Sequence, residues 1–289
     1  MKIRIAFALG IAILLLAFAQ RQHTMAAALS EPRQARSGPL AYAIAPTPGY
    51  SATNFGLLDI GTGTFHPIST TPTLASGIAK DARSRLYFLD SNGDIYQINP
   101  GNGKVAKLGP SGITASLPVA LVGMADGTLY AMDVQNNLYR VNAETGAATF
   151  VGATGIAGYN PFTQAYSSSL AADCQYLYYI QGVYGNYPIW AQFPTLWRIH
   201  PDTAQADLIG PITPTLPFFG AGFVDGKLLE FSFDETSRGG PGPKTYRVNV
   251  TSGAATFVSN LNVPSVYGAA PLGEGNGCDC STDRHESER

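Results

Sequence analysis

Four aspartates recur along the chain every 40 to 60 residues, Asp81, Asp126, Asp173 and Asp225, each closing a run of small and apolar residues. Carboxylates repeated at equivalent places around a channel mouth would offer the hard oxygen ligands that Ca²⁺ takes. Asp126-Gly127 and Asp225-Gly226 also have the composition of tight hairpin turns, where aspartate bonds its own backbone. The turn reading covers the set by local geometry, so no metal site and no cofactor are expected. Three cysteines bring a second chemistry: Cys174 follows Asp173, while Cys278 and Cys280 form a C-x-C in the polar tail. Two tail thiols are too few for a zinc site. They suit a disulfide from Cys174 to Cys278 or Cys280, against the reading of Cys174 as a small buried hydrophobe.

Catalytic signatures are sparse. The sequence has no G-x-S-x-G, H-E-x-x-H, Walker or dinucleotide fingerprint. His23 and His285 lie near the termini, and His200 takes a slot filled by Asn99, Asn142 and Asn249 in sister segments, so it reads as a turn residue, as does His66. Asp234 and Glu235 are adjacent carboxylates on a long connecting segment and are the candidates for an acid–base pair if the protein is a carbohydrate-active hydrolase or lyase. A denser signal is aromatic: Tyr159, Phe162, Tyr166, Tyr184, Tyr187, Trp190, Phe193, Phe218 and Phe219 cluster in or beside long segments. Flat apolar rings with polar tips suit a glycan, a peptide or a protein surface. A mini-core within each long loop is the competing explanation.

The elements that must position these residues follow from a repeat. Segments 95–109, 138–152, 196–210 and 245–259 align, as in Leu138-Tyr139-Arg140-Val141-Asn142 and Thr245-Tyr246-Arg247-Val248-Asn249, and 57–69 is a shorter copy. Each is two short strands around a polar turn. Upstream stand β-rich runs such as Leu86-Tyr87-Phe88-Leu89-Asp90 and Leu129-Tyr130-Ala131-Met132-Asp133, preceded by small apolar runs such as Gly77-Ile78-Ala79-Lys80. The unit is four strands, a to d. Residues before Ala41 contain no a-type run, whereas one stands at the other end, Val266 to Leu272. The expected fold is all-β: a five-bladed β-propeller of four-stranded blades over residues 38–272, with the C-terminal strand closing the N-terminal blade.

The Leu-Tyr-Arg-Val-Asn-x-x-Thr-Gly-x-Ala-Thr-x-Val-Gly pattern resembles the repeats of secreted bacterial propeller proteins of uncharacterised function. The resemblance implies the fold and carries no catalytic residue. Five-bladed glycosidases place three carboxylates along their inner strands, and the corresponding halves of the a runs here have none. In such a fold the a–b and c–d turns lie on one face and the b–c and d–a connections on the other. The long, aromatic segments all belong to the second set, which is therefore the expected ligand face.

Composition sets the limits. The chain has 289 residues, 18 Lys plus Arg against 20 Asp plus Glu, and 13% charged residues, half the usual share of about 25%. A net charge of −2 gives no sequence-wide basic footprint for nucleic acid. Lys2 and Arg4 precede an apolar run to Ala19, so residues 1–28 read as a signal peptide and the mature protein as secreted or periplasmic; membrane attachment would require that segment to stay uncleaved. Residues 273–289 read as a polar tail. The functional expectation is a non-enzymatic binding module. A carbohydrate-active enzyme and an envelope-associated structural protein are the alternatives.

Overall fold

The computed structural model describes residues 38–113, 118–157, 165–184, 194–214, 218–233 and 242–273. The chain divides into two parts, Met1–Arg36 and Ser37–Arg289. The first, with the expected signal segment, lies outside the described residues, as does the tail beyond Gly273.

Twenty strands and no helix occur among the described residues. They fall into antiparallel quartets. Quartet one contains β1 (Leu40–Pro46), β2 (Thr53–Asp59) and β3 (Thr64–Thr70); quartet two β4 (Ala75–Lys80), β5 (Leu86–Asp90), β6 (Asp94–Ile98) and β7 (Val105–Pro110). Quartet three contains β8 (Pro118–Gly123), β9 (Leu129–Asp133), β10 (Asn137–Val141) and β11 (Ala148–Ala153). Quartet four contains β12 (Ala165–Ala172), β13 (Leu177–Tyr184), β14 (Thr195–Ile199) and β15 (Ala206–Pro211). Quartet five contains β16 (Phe218–Val224), β17 (Lys227–Ser232), β18 (Lys244–Val248) and β19 (Ala255–Asn260). The last strand, β20 (Gly268–Pro271), pairs antiparallel with β1, setting Ala41 opposite Pro271 and Ile44 opposite Gly268. It is the a strand that quartet one lacks at its own end. Quartets two, three and four are separate sheets. Quartets five and one join into an eight-stranded sheet through a single parallel bridge, Gly222 to Ala269.

The a strands pack on one another in order: β4 on β8, β8 on β12, β12 on β16, β16 on β20, and β20 back on β4. Small residues permit that approach. A Cβ on Gly123 would run into the Lys80 carbonyl, one on Gly77 into the backbone of Leu121, and one on Gly222 into Ala269.

Outside this centre, each b strand is buried on both faces, because alternate side chains enter opposite seams. Leu129 and Ala131 join Tyr87, Leu89 and Ile95 between quartets two and three. Their neighbours Tyr130 and Met132 join Leu170, Leu177 and Tyr179 between three and four. Ala221 and Leu228 meet Tyr178, Ile180 and Leu196 between four and five. The last seam unites the chain's two ends: Val224, Leu229, Phe231 and Ala269 pack with Ala41, Ala43, Leu58 and Phe65. Every c–d ladder carries one register shift at the same place, after Phe55, Ile95, Leu138, Leu196 and Thr245, which increases the local twist of each outer strand.

Gly123→Ala tests the close packing at the centre. Overpacking of this kind costs about 1–3 kcal/mol, so urea unfolding should give a lower midpoint with an unchanged slope; wild-type stability would contradict the contact.

Candidate functional site

At the end of the quartets that carries the a–b turns, the recurring aspartates are occupied by their own turns. Asp81 Oδ1 accepts the backbone N–H groups of Arg83 and Arg85, and Oδ2 accepts Arg85 Nε at 2.7 Å and the Tyr87 hydroxyl at 2.9 Å. Asp126 accepts Thr128 N, and Asp173 accepts Gln175 N, Tyr176 N and the Tyr178 hydroxyl. Asp225 stands at φ 52° before Gly226 and pairs with Lys227 at 3.6 Å. Among the described residues no group of three His, Cys, Asp or Glu side chains is arranged to hold a metal. The tyrosine of each Leu-Tyr strand in quartets two and four is therefore a clamp on its turn. Burial of Asp81 works to raise its carboxyl, but the Arg85 backbone and side chain and the Tyr87 hydroxyl outweigh it and hold the group below the ordinary carboxylate range. Arg85 also reaches Glu144 in the c–d turn of quartet three at 2.8 Å.

The c–d turns share a device. Asn99, Asn142 and Asn249 each accept backbone N–H groups two and three residues on, and Gly103, Gly146 and Gly253 close the turns at positive φ. Quartet four differs in its side chain: His200 is a turn residue as its slot predicts. Its backbone makes the turn, with Ala204 in the positive-φ position, but the ring does not cap it. The imidazole is longer than an amide and crosses the hairpin instead: Nε2 meets Asp207 Oδ2 at 3.3 Å, beside Arg198 Nη2 at 2.9 Å, and the ring stands edge-on to Tyr176. The turn reading of His66 needs correction: it is exposed on β3, opposite Leu57.

The opposite end holds the b–c and d–a connections. In quartets two and three the b–c turns are short and sealed by fully buried aspartates. Asp90 Oδ1 accepts Asn92 N and Asp94 N; Asp133 Oδ1 accepts Gln135 N and Asn137 N, while its Oδ2 accepts the Tyr139 hydroxyl. Quartets four and five have Gln181 and Ser232 at that strand position, and their b–c connections are long. Of the expected aromatic residues, Tyr159, Phe162, Tyr187, Trp190 and Phe193 lie outside the described residues, as do Asp234 and Glu235. Tyr166 and Tyr184 fall near paired ends of β12 and β13, and Phe218 and Phe219 begin β16, which packs against β12. The backbone thus brings four of the nine to one end of two neighbouring quartets.

One buried residue in mid-strand was absent from the sequence candidates. Glu230, on β17, is fully buried. It lies in register with Ala221 of β16 and Tyr246 of β18. Ala221 donates its N–H to Ser169 Oγ across the seam at 2.8 Å. Burial, then the Glu230 charge, pushes the Tyr246 hydroxyl above its ordinary value. The equivalent places on β5, β9 and β13 hold Phe88, Ala131 and Tyr179. Tyr179 donates at 2.6 Å to Asn136, which sits in the b–c turn of the preceding quartet. Glu230 brings a carboxylate to the same seam position between quartets four and five. Aligning the Leu228-Leu229-Glu230-Phe231 strand with its apolar sisters was the signal that could have found it.

The ends of the a strands border a small cavity of about 10 Å³ lined by Lys80, Gly123, Ala172, Phe223, Ala270 and Pro271, far below the usual 300–1,000 Å³ of a small-molecule site.

No protein-family model matches this chain, and no curated protein matches it. Solved structures similar to it include a protein of unknown function from Bacteroides caccae, 15% identical, covering 77% of this chain and 73% of that one at a TM-score of 0.44. A protein from Lactobacillus plantarum is 15% identical, covering 81% and 71% at 0.45. The extracellular domain described for a one-component system of B. thetaiotaomicron is 13% identical, covering 79% of this chain and 30% of that one at 0.41. None of these assigns a family or an activity. Among the described residues no helix is long and apolar enough to cross a membrane.

Because the Asp81 carboxyl is depressed in the folded protein, its contribution to stability is complete above the ordinary carboxylate value of about 4 and is lost as pH falls through the lower folded value. Urea unfolding of Asp81→Asn below about pH 4 should therefore lose stability less steeply than wild type. Equal slopes would contradict the assignment.

Proposed function

We propose that the chain is a secreted five-bladed β-propeller that binds a ligand, without catalysis, at the end bearing its long b–c and d–a connections. The cycle of a-strand packing, the seam joining quartet five to quartet one, and the pairing of β20 with β1 support the propeller. Each quartet is then one blade. Export rests on the N-terminal segment of Lys2, Arg4 and the apolar run to Ala19.

The single observation that carries the binding site is Glu230. A carboxylate with no solvent exposure stands in mid-strand on β17 where the sister strands hold Phe88, Ala131 and Tyr179, in a quartet whose b–c connection is long. Burying a carboxylate is unfavourable unless it receives hydrogen bonds or a counter-charge, so this strand position is explained by polar partners and not by apolar packing. Carboxylate oxygens accept from hydroxyl and ammonium donors. The backbone of Tyr166, Tyr184, Phe218 and Phe219 falls at the long-connection end, and aromatic residues suit the apolar side of a ligand. A glycan combines hydroxyl donors with apolar ring faces and is the ligand class this reading favours. Peptide and protein partners are the other outcomes of the test.

A carbohydrate-active hydrolase is the second reading, favoured by the same buried Glu230, since low-exposure carboxylates are the groups enzymes use as acids.

Glu230→Gln keeps the shape and removes the charge. Wild-type protein should show a ligand-dependent rise in Tm with at least one member of an oligosaccharide panel, and Glu230→Gln should lose that rise while folding normally. No rise with any oligosaccharide would overturn the glycan reading, and reducing-sugar release abolished in Glu230→Gln would replace binding by hydrolysis.

A further inference from the structure

We propose that Tyr50 and Tyr267 form a sugar contact at the long-connection end of the seam between quartets one and two, where the two phenols take the C–H face of a pyranose and the Thr73 hydroxyl takes one of its hydroxyl groups. The proposal deepens the glycan reading and rests on it, adding a contact at a seam other than that of Glu230.

Tyr50 carries the argument through its backbone. It lies in the connection from β1 to β2, at φ 57° and 46% exposed. An aromatic residue in the left-handed region is strained, because its Cβ crowds the following carbonyl oxygen. The sister b–c turns show which residues suit that backbone: Gly93 stands at φ 85° in quartet two and Asn136 at φ 61° in quartet three, both types that adopt this region readily. The connection around Tyr50 is held in place. Tyr50 donates its N–H to the Thr47 carbonyl at 3.0 Å, and the Thr47 hydroxyl donates to the Ala52 carbonyl at 3.0 Å. A bulky side chain is thus kept partly in water on a backbone that glycine would relax, and turn chemistry does not explain it. Strain of this kind gathers at ligand sites.

Tyr267 meets it from the start of β20. Its N–H bonds the Ile44 carbonyl of β1 at 2.9 Å, and its side chain packs, partly buried, against the cluster of Ile44, Phe55, Ala75 and Ile78. Gly220 leaves it no room to retreat, since a Cβ there would run into the Tyr267 backbone. Burial, then Tyr50, pushes the Tyr267 hydroxyl above its ordinary value, so the two phenols lie within electrostatic reach and Tyr267 stays a neutral donor. Thr73 lies in the connection from quartet one to quartet two, two residues before Ala75 of the same cluster. Its carbonyl accepts the Thr71 hydroxyl at 2.6 Å, while its own hydroxyl is buried with no partner among the described residues. An unsatisfied hydroxyl is destabilising where it lies. The residue itself is partly exposed, and a change of χ1 rotamer presents the hydroxyl to a ligand. Aromatic faces beside hydroxyl partners match a pyranose, which has an apolar C–H face and a rim of hydroxyl groups.

Titration calorimetry of the purified chain with cello-, malto-, xylo- and chitotetraose tests the proposal. Tyr50→Gly relaxes the backbone and removes the phenol; Thr73→Val removes the buried hydroxyl and keeps the shape. Without sugar, both variants should resist urea at least as well as wild type. With the tetrasaccharide that wild type binds, Tyr50→Gly should weaken Kd by about tenfold or more and Thr73→Val by about fivefold. Tyr50→Phe, which keeps the aromatic face, should bind more tightly than Tyr50→Gly. Wild-type affinity in Tyr50→Gly, with binding still lost in Glu230→Gln, would overturn this contact and leave the glycan reading standing. No binding of any of the four sugars by wild type would overturn both.

Discussion

Backbone must approach backbone where the a strands converge, and this steric constraint governs the rest of the molecule. Gly77, Gly123 and Gly222 face neighbouring main chain too closely for any side chain, and the remaining inner positions are largely Ala, Ile, Leu and Val. Once the a strands touch, the b strands behind them are enclosed on both faces. They are then largely apolar, as Leu86 to Leu89 and Leu129 to Met132 are. Farther out the sheets diverge, and Phe150, Leu208 and Phe257 on the d strands are more than half exposed. The low charge of the sequence is the compositional trace of this geometry: few positions face water on both sides.

Polar groups are rationed accordingly. Carboxylates inside the protein cap turns: Asp81 and Asp173 at one end, Asp90 and Asp133 at the other, each accepting two backbone N–H groups. Their charges are met by oriented donors, which is what makes burial tolerable. Glu230 belongs to a different class, because it sits in the middle of a strand and caps no turn. It lies in register with Tyr246, whose hydroxyl is pushed up first by burial and then by the Glu230 carboxyl. Quartet-to-quartet repetition provides the internal control for this argument, since three sister strands fill the same place with Phe88, Ala131 and Tyr179.

Much of this architecture was legible in the sequence. The recurrence of Leu-Tyr strands and of Asn-x-x-x-Gly turns marked the quartets, and the missing a run before Ala41 anticipated the pairing of β20 with β1. These are local signals repeated often enough to be read against one another. The side-chain geometry of quartet four was not legible: His200 occupies an asparagine slot, and only the cross-hairpin distance to Asp207 reveals that its ring points elsewhere. The merging of two quartets through one Gly222 to Ala269 bridge likewise depends on how closely β16 meets β20. Glu230 was present in the alignment, but its burial depends on the packing of a neighbouring sheet. Its importance is a property of the seam, not of the strand.

The central claim is that the two ends of the chain close one ring, so that residues 41–44 and 268–271 belong to the same cooperative structure as the quartets between them. Amide hydrogen exchange on the native protein addresses this most directly. The ladder amides of 41–44 and 268–271 should exchange as slowly as those of β9, through global unfolding. Exchange at those amides several orders of magnitude faster than in β9, with β9 still protected, would mean that the ring is open at that seam.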